Sequence, residues 1–369
     1  MNALYTCINV LMLIWLVMIC WLWPDLALPT LPFGVRVPPT HVNEPVIAQS
    51  RQCYHRVLLL TGLAGLLVLL LVAFFLPLWG QIWAMLGVLL GTVAIAGISY
   101  ALLNLRLRRI KEREGWYAGL RQAVAVEVGV SEQRSWPSPF WLGLDLLLLV
   151  ALWVVTVVRY PLLPERIPLH FGPDGQVNRW GGKQELLLFS LLALALNILL
   201  LGLALALPVR SRQLDPADPE QARRDRQRRQ QALRNLLASV LGIVNLCFLL
   251  ILLLLTQIIP PTNLNVMLMV VLLLMLLLGL GGLMVFYLVR ARPSQVYALR
   301  TNYVARDDDR YWKGGLVYIN RDDPALFVER RLGMGWTVNL GHPLGVALLL
   351  AILLVVVAAL LLGLLVGQR

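Results

Sequence analysis

The chain is 369 residues long, 59% apolar and 14% charged, with a mean hydropathy of +0.74 and a formal net charge of +12. A water-soluble enzyme carries about 25% charged residues, so this composition excludes an ordinary soluble fold and points to a bilayer. The 32 Lys+Arg and 20 Asp+Glu avoid eight apolar stretches almost completely.

Those stretches run 3–23, 57–79, 80–104, 140–158, 186–208, 236–259, 266–289 and 345–367. Each is about as long as the roughly 20 residues a helix needs to cross a hydrocarbon core. Strands of an outer-membrane barrel would be about 10 residues and alternate strictly. The predicted fold is therefore an all-α polytopic membrane protein of about eight transmembrane helices, with a small external β-hairpin loop and a small cytoplasmic β-rich loop. The predicted organisation is a four-helix membrane region over 1–158, an external motif loop over 159–185 and a three-helix region over 186–289 with an Arg-rich loop at 209–235. A β-rich cytoplasmic loop over 290–344 and a last transmembrane helix over 345–369 complete it.

Orientation follows from the basic residues, which resist translocation near helix ends. Loops 24–56, 105–139, 209–235 and 290–344 hold 27 of the 32 Lys+Arg, all on one side if there are eight spans. This places both termini outside the cytoplasm. The net charge then records topology, and no nucleic-acid partner is expected.

The first stretch has nothing basic before it and no small-residue cleavage site after Trp23-Pro24-Asp25, so it reads as a retained helix. In loop 24–56 the prolines of LPTLPFGVRVPP forbid a helix and suggest an extended segment along the membrane surface. Loop 105–139 continues the third helix with a basic run, and Trp116 and Tyr117 suit the headgroup zone. The fourth stretch holds the sole intramembrane charge, Asp145, about 7–8 Å inside the boundary by helical rise, where it reads as reaching interfacial water.

The external loop LPERIPLHFGPDGQVNRWGGKQE alternates Ile167, Leu169 and Phe171 with polar neighbours, turns at Pro173-Asp174-Gly175 and resumes at Val177, which predicts a short hairpin. It gathers His170, Asp174, Asn178, Arg179, Trp180 and Lys183, the candidates for ligand recognition. One His and one acidic residue fall short of a metal site. In loop 209–235, Asp218 caps and Pro219 begins an Arg-rich helix that runs into the sixth span. Asn197 and Asn245 read as interhelical hydrogen-bond partners, and Gly279, Gly281 and Gly282 as sites of close helix packing.

The loop from Asp307 to Pro343 predicts a three-stranded meander. Asp307, Asp308, Asp309, Asp322 and Asp323 suggest a divalent cation, but Arg306, Arg310, Lys313 and Arg321 lie among them and neutralise them locally, and the spacing is not that of a calcium loop. Cys7, Cys20, Cys53 and Cys247 make no disulfide framework.

RIPLHFGPDGQVNRWGGK resembles the defining motif of the bacterial membrane family called domain of unknown function 1648, which includes the Sdp toxin-immunity proteins. The match falls on Pro164, Ile167, Pro168, His170, Gly175, Asn178, Trp180, Gly181 and Lys183, with Asn178 where many members carry Asp. YWKGGLVYINRDDPALFVERRLGMGWTVNLGHP resembles a second family, domain of unknown function 5808, through Trp312, Lys313, Tyr318, Asn320, Asp323, Pro324, Phe327, Val328, Gly335, Trp336, Asn339 and Pro343. The first resemblance implies protection against a membrane-active peptide, coupled in some members to holding a regulator at the membrane.

The histidines His41, His55, His170 and His342 all read as loop residues, and neither a zincin motif, a nucleophile elbow nor a phosphate-binding loop is present. Neither an enzyme nor a cofactor is expected. The expectation is a sensor or immunity-type protein whose partners are the lipid bilayer, an external peptide ligand and a cytoplasmic regulator. An ion-coupled transporter hinging on Asp145, or a structural membrane accessory protein, is the alternative.

Overall fold

The computed structural model describes residues 2–126, 136–171, 177–206, 213–260, 262–290, 303–331 and 336–367. Its helices are α1 (Asn2–Leu26), α2 (Pro45–Phe75), α3 (Leu78–Arg113), α4 (Pro139–Arg159), α5 (Gln184–Ala206), α6 (Pro219–Leu255), α7 (Asn263–Arg290) and α8 (Pro343–Gly367). Among the described residues seven helices are long and apolar enough to cross a membrane, and α8 adds an apolar run over Pro343–Leu354. The fold is an all-α polytopic membrane architecture with small two-stranded sheets.

Proline begins four of these helices, at Pro45, Pro139, Pro219 and Pro343. A first-turn N–H has no intrahelical partner, so proline loses nothing there and its fixed φ already suits the helix. Asp218 caps α6 as expected, its carboxylate accepting from the Gln221 N–H at 3.1 Å, and the Arg-rich segment continues unbroken into the apolar one.

The strands are β1 (Arg121–Ala123), β2 (Ala125–Val126), β3 (Arg166–Phe171), β4 (Val177–Gly182), β5 (Gln213–Leu214), β6 (Tyr303–Ala305), β7 (Trp312–Lys313), β8 (Val317–Tyr318), β9 (Phe327–Glu329) and β10 (Trp336–Val338). They pair as β1 with β6 in parallel, and β2 with β5, β3 with β4, β7 with β8 and β9 with β10 antiparallel. The expected three-stranded meander is thus two hairpins, joined where the Leu340 N–H donates to the Tyr318 carbonyl at 3.0 Å. The paired segments of β7 and β8 are two residues each, too short to carry a third strand alongside.

The chain divides into two compact units, residues 1–128, 211–225 and 292–369 in one and 129–210 and 226–291 in the other. The core of the first is an aromatic cluster in which Phe33, Tyr54 and Tyr100 meet edge-on or tilted, with ring centroids 5.3–6.4 Å apart. Val35, Val37, Leu58 and Leu107 pack around it. The core of the second is Leu152, Ile167, Leu186, Ala193 and Leu252.

Four sequence expectations change here. The proline-rich segment does not lie along a surface: Phe33, Val35 and Val37 are buried, because Pro32–Gly34 forms a 3-10 turn with Phe33 at φ 50° and Gly34 at φ 71° that drives the ring inward. Helix α2 starts at Pro45, twelve residues before its apolar stretch, so Cys53 and His55 are helical; His55 stacks on Trp21 at 4.1 Å. Trp116 is buried as well, stacked on His41 at 5.3 Å. The close packing expected at the α7 glycines is absent at Gly279 and Gly282, where an added Cβ would meet open space.

Candidate functional site

In the first unit, three segments far apart in sequence converge on one charge cluster. Along α3, Tyr100, Leu103, Asn104, Leu107 and Lys111 are the buried face, and this periodic stripe runs past the apolar stretch and carries Lys111 inward. Above it, the Phe33–Gly34 turn is pinned by the Asn104 side chain, whose Nδ2 donates to the Phe33 carbonyl at 2.8 Å. The turn between β7 and β8 seats on both: Gly314 and Gly315 adopt φ 58° and 72°. A Cβ on Gly315 would stand 2.6 Å from the Phe33 oxygen, closer than any side chain tolerates.

Against this scaffold Asp309 is buried, accepting from Lys111 Nζ, from an Arg331 guanidinium N–H and from the Arg36 backbone N–H at 3.0 Å. Asp308 takes the Arg36 side chain at 2.7 Å and Arg331, while Asp307 takes Lys111 at 2.7 Å. Lys111, Asp309 and Arg331 are each about 4% exposed. Three cations and three carboxylates thus balance in a site mostly closed to water, as buried charge requires. Burial alone would raise Asp308, but Arg36 and Arg331 outweigh it and hold its carboxyl below the usual range. For Arg36 the opposite holds: burial would lower it, and Asp308 keeps the guanidinium above its ordinary value. Tyr117, beside Lys111 at 5.4 Å, is pushed up by burial against the opposing pull of Arg36, with the neighbouring carboxylates adding to the rise.

The carboxylates are therefore neutralised, but not by Arg306, Arg310, Lys313 and Arg321 as expected from proximity in sequence. Their partners come from residues 36, 111 and 331. Nothing local in sequence marks Arg36 or Arg331; Lys111 alone is marked, as the next position of the buried α3 stripe.

The other residues singled out in this loop form a scaffold. The Trp312 and Tyr318 rings meet tilted at 56° with centroids 5.1 Å apart, and Arg331 lies over the Trp312 ring at 5.0 Å. Tyr318 donates to Asp323 at 2.9 Å, and burial together with that carboxylate pushes its phenol up to about 12. Asn339 fastens the loop: Nδ2 donates to the carbonyls of Asn320, Asp323 and Ala325 at 2.8–3.2 Å, and Oδ1 accepts from the N–H of Asn320 and Gly341. Lys313 is exposed, its ammonium donating to the Arg310 carbonyl at 3.3 Å, and Trp336 is half-buried opposite Glu329.

In the second unit, β3 and β4 form the expected hairpin, with Asp174 and the turn outside the described residues. Ile167 is fully buried against α4, α5 and α6, anchoring the hairpin to the bundle. An irregularity in register between Pro168 and His170 turns His170 outward. His170 Nδ1 and Asn178 Oδ1 are 2.6 Å apart, Arg179 pairs with Glu185 at 2.8 Å and Lys183 with Glu165 at 2.9 Å. The Glu165 bond raises Lys183. Trp180 stands 56% exposed beside them.

Beneath the hairpin the bundle holds paired polar groups. Thr156 and Ser190 hydroxyls meet at 2.8 Å, Asn197 and Asn245 exchange amide bonds at 2.7 and 3.1 Å, as their helical positions suggested, and Arg159 donates to the Thr256 carbonyl at 2.9 Å. Asp145 differs from them. It is 6% exposed rather than open to interfacial water, and among the described residues neither carboxylate oxygen has a hydrogen-bond partner.

Residues 147–194, from within α4 through the hairpin into α5, match the family model described as domain of unknown function (DUF1648). Residues 321–346, from just after β8 into the start of α8, match a family of unknown function (DUF5808). Trp312, Lys313, Tyr318 and Asn320 fall before that second range. An uncharacterized protein of Archaeoglobus fulgidus is 40% identical over 47 residues, which are 13% of this chain. The likeness spans 26% of the archaeal protein's length. No solved structure matches.

Proposed function

We propose that this multi-pass membrane protein is a non-enzymatic sensor or immunity-type protein that recognises an envelope-active peptide through the β3–β4 hairpin. The observation that carries the reading is the hairpin itself: a strand pair anchored by buried Ile167 that presents Trp180, Arg179 and His170 to the outside. Aromatic and Arg side chains held rigid at low entropic cost are the usual anchors of recognition surfaces. In this reading the four basic loops face the cytoplasm and both termini lie outside it. Parts of all four loops come together in the first unit, with β1 on β6 and β2 on β5, which supports their lying on a common side. The charge-locked loop assembly is then the surface offered to a cytoplasmic regulator, and the bilayer is the other partner.

The test replaces Trp180 or His170 with Ala in cells exposed to membrane-active peptides. The expected result is raised sensitivity at unchanged protein abundance in the membrane. Unchanged sensitivity, or sensitivity that rises only in step with falling abundance, overturns the recognition role and leaves the hairpin a structural cap.

A further inference from the structure

Asp145 has no place in a recognition function, yet it is buried within the bundle. Its Oδ1 lies against α6 at Gly242, where an added Cβ would come within 3.0 Å of that oxygen and 3.6 Å of the Trp141 ring. With a side chain at 242 the carboxyl group would have to give by a few tenths of an ångström. Among the described residues no ion pair and no hydrogen bond reaches either oxygen. The Trp141 indole N–H is engaged elsewhere, donating to the Tyr287 hydroxyl of α7 at 2.9 Å. Asp145, Leu152 and Thr156 form the buried stripe of α4. Asn245 stands three residues beyond Gly242 on α6, about 4.5 Å farther along the axis by helical rise.

The other buried polar groups of this bundle that the previous sections described occur in bonded pairs, so the lone carboxyl is an exception that needs a ligand. An anionic carboxylate with neither donor nor cation in a low-dielectric interior is strongly unfavourable, and binding a proton removes the charge. A metal cation would require several oxygen ligands. What lies against Asp145 instead is α6 at Gly242. We propose that Asp145 is an exchangeable proton-binding site within the α4–α5–α6 bundle, taking up one proton per chain as the carboxylate becomes the carboxylic acid. The polar pairs Asn197–Asn245 and Thr156–Ser190 continue from it along the bundle interior. A group so placed ties the packing of α4 on α6 to proton occupancy, because the charged form must find water or a donor that the closed bundle lacks.

The proposal is tested on the full chain in lipid nanodiscs with dicyclohexylcarbodiimide, an apolar reagent that reacts with protonated carboxyl groups by adding the acid O–H across a C=N bond. The adduct is mapped by peptide mass between pH 5 and pH 9. The expected result is one adduct per chain at Asp145 in the wild-type protein, forming about tenfold more slowly per pH unit above the titration midpoint and absent in Asp145→Asn. No adduct at Asp145 anywhere in that range overturns the proposal. So does an adduct whose rate ignores pH, which marks an acid that never exchanges its proton. Because the wild type carries the decisive measurement, misfolding of the variant does not affect the outcome. The result is independent of peptide sensitivity at the hairpin.

Discussion

Substituting Asp309 with Asn keeps the shape of the side chain and removes the charge on which Lys111 and Arg331 both close. Removing one partner of a buried ion pair costs about 3–5 kcal/mol, because a charge is left without compensation in a poorly solvating site. Lys111 retains Asp307 at 2.7 Å and Arg331 retains Asp308, so the expected cost is about 3 kcal/mol, the lower end of that range. At 1.4 kcal/mol per factor of ten, the local opening equilibrium of the loop assembly rises about a hundredfold. Hydrogen–deuterium exchange of peptides covering 303–318 in nanodiscs measures it, since amides protected by a local structure exchange in proportion to its opening. Asp322, exposed and outside the cluster, is the control, and Asp322→Asn is expected to change exchange by no more than the factor of two or so that corresponds to about 0.5 kcal/mol. Exchange in Asp309→Asn indistinguishable from that control would refute the claim that the charge cluster holds the loops together.

Two further outcomes follow from the same assembly. Gly315→Ala forces a Cβ to 2.6 Å from the Phe33 oxygen at a positive φ, so the β7–β8 turn must lift from α3; the thermal midpoint in detergent is expected to fall by several degrees, whereas Gly279→Ala, facing open space, leaves it unchanged. Asp308 is held below the usual carboxylate range, so its contribution to stability is present above its unfolded value of about 3.9 and is lost as pH falls through the lower folded value. The protection of amides in 303–318 is therefore expected to be flat from about pH 5 to 7 and to drop below about pH 4; a drop beginning above pH 5 would show that another group governs the assembly.

The helices were legible because a bilayer imposes a length and a charge rule on each span separately, so every stretch announces itself. The hairpin was legible for a similar reason, its alternation and turn residues being contiguous. The charge cluster was not. Arg36 and Asp308 are 272 residues apart, and no local pattern distinguishes an arginine that reaches a distant carboxylate from one that faces solvent. Phe33 illustrates a second limit: the four prolines of LPTLPFGVRVPP exclude a helix but do not say which way the chain folds, and that was decided by the left-handed pair Phe33 and Gly34. Asp145 shows a third. Helical rise gives the depth of a side chain along its axis, yet its burial depends on which part of a neighbouring helix covers it, here α6 at Gly242.

The interlock of residues 33–36, 104–111 and 307–331 also fixes an order of manufacture. Helices α1 to α3 leave the ribosome and enter the bilayer with Lys111 still lacking Asp309, and the Phe33 turn still lacking the Gly315 backbone beneath it. Nearly two hundred residues must be synthesised before that lock can close, at roughly 5–20 residues per second. For those tens of seconds the amino-terminal helices wait in the membrane incomplete, so a chain interrupted before residue 331 would be inserted but never latched.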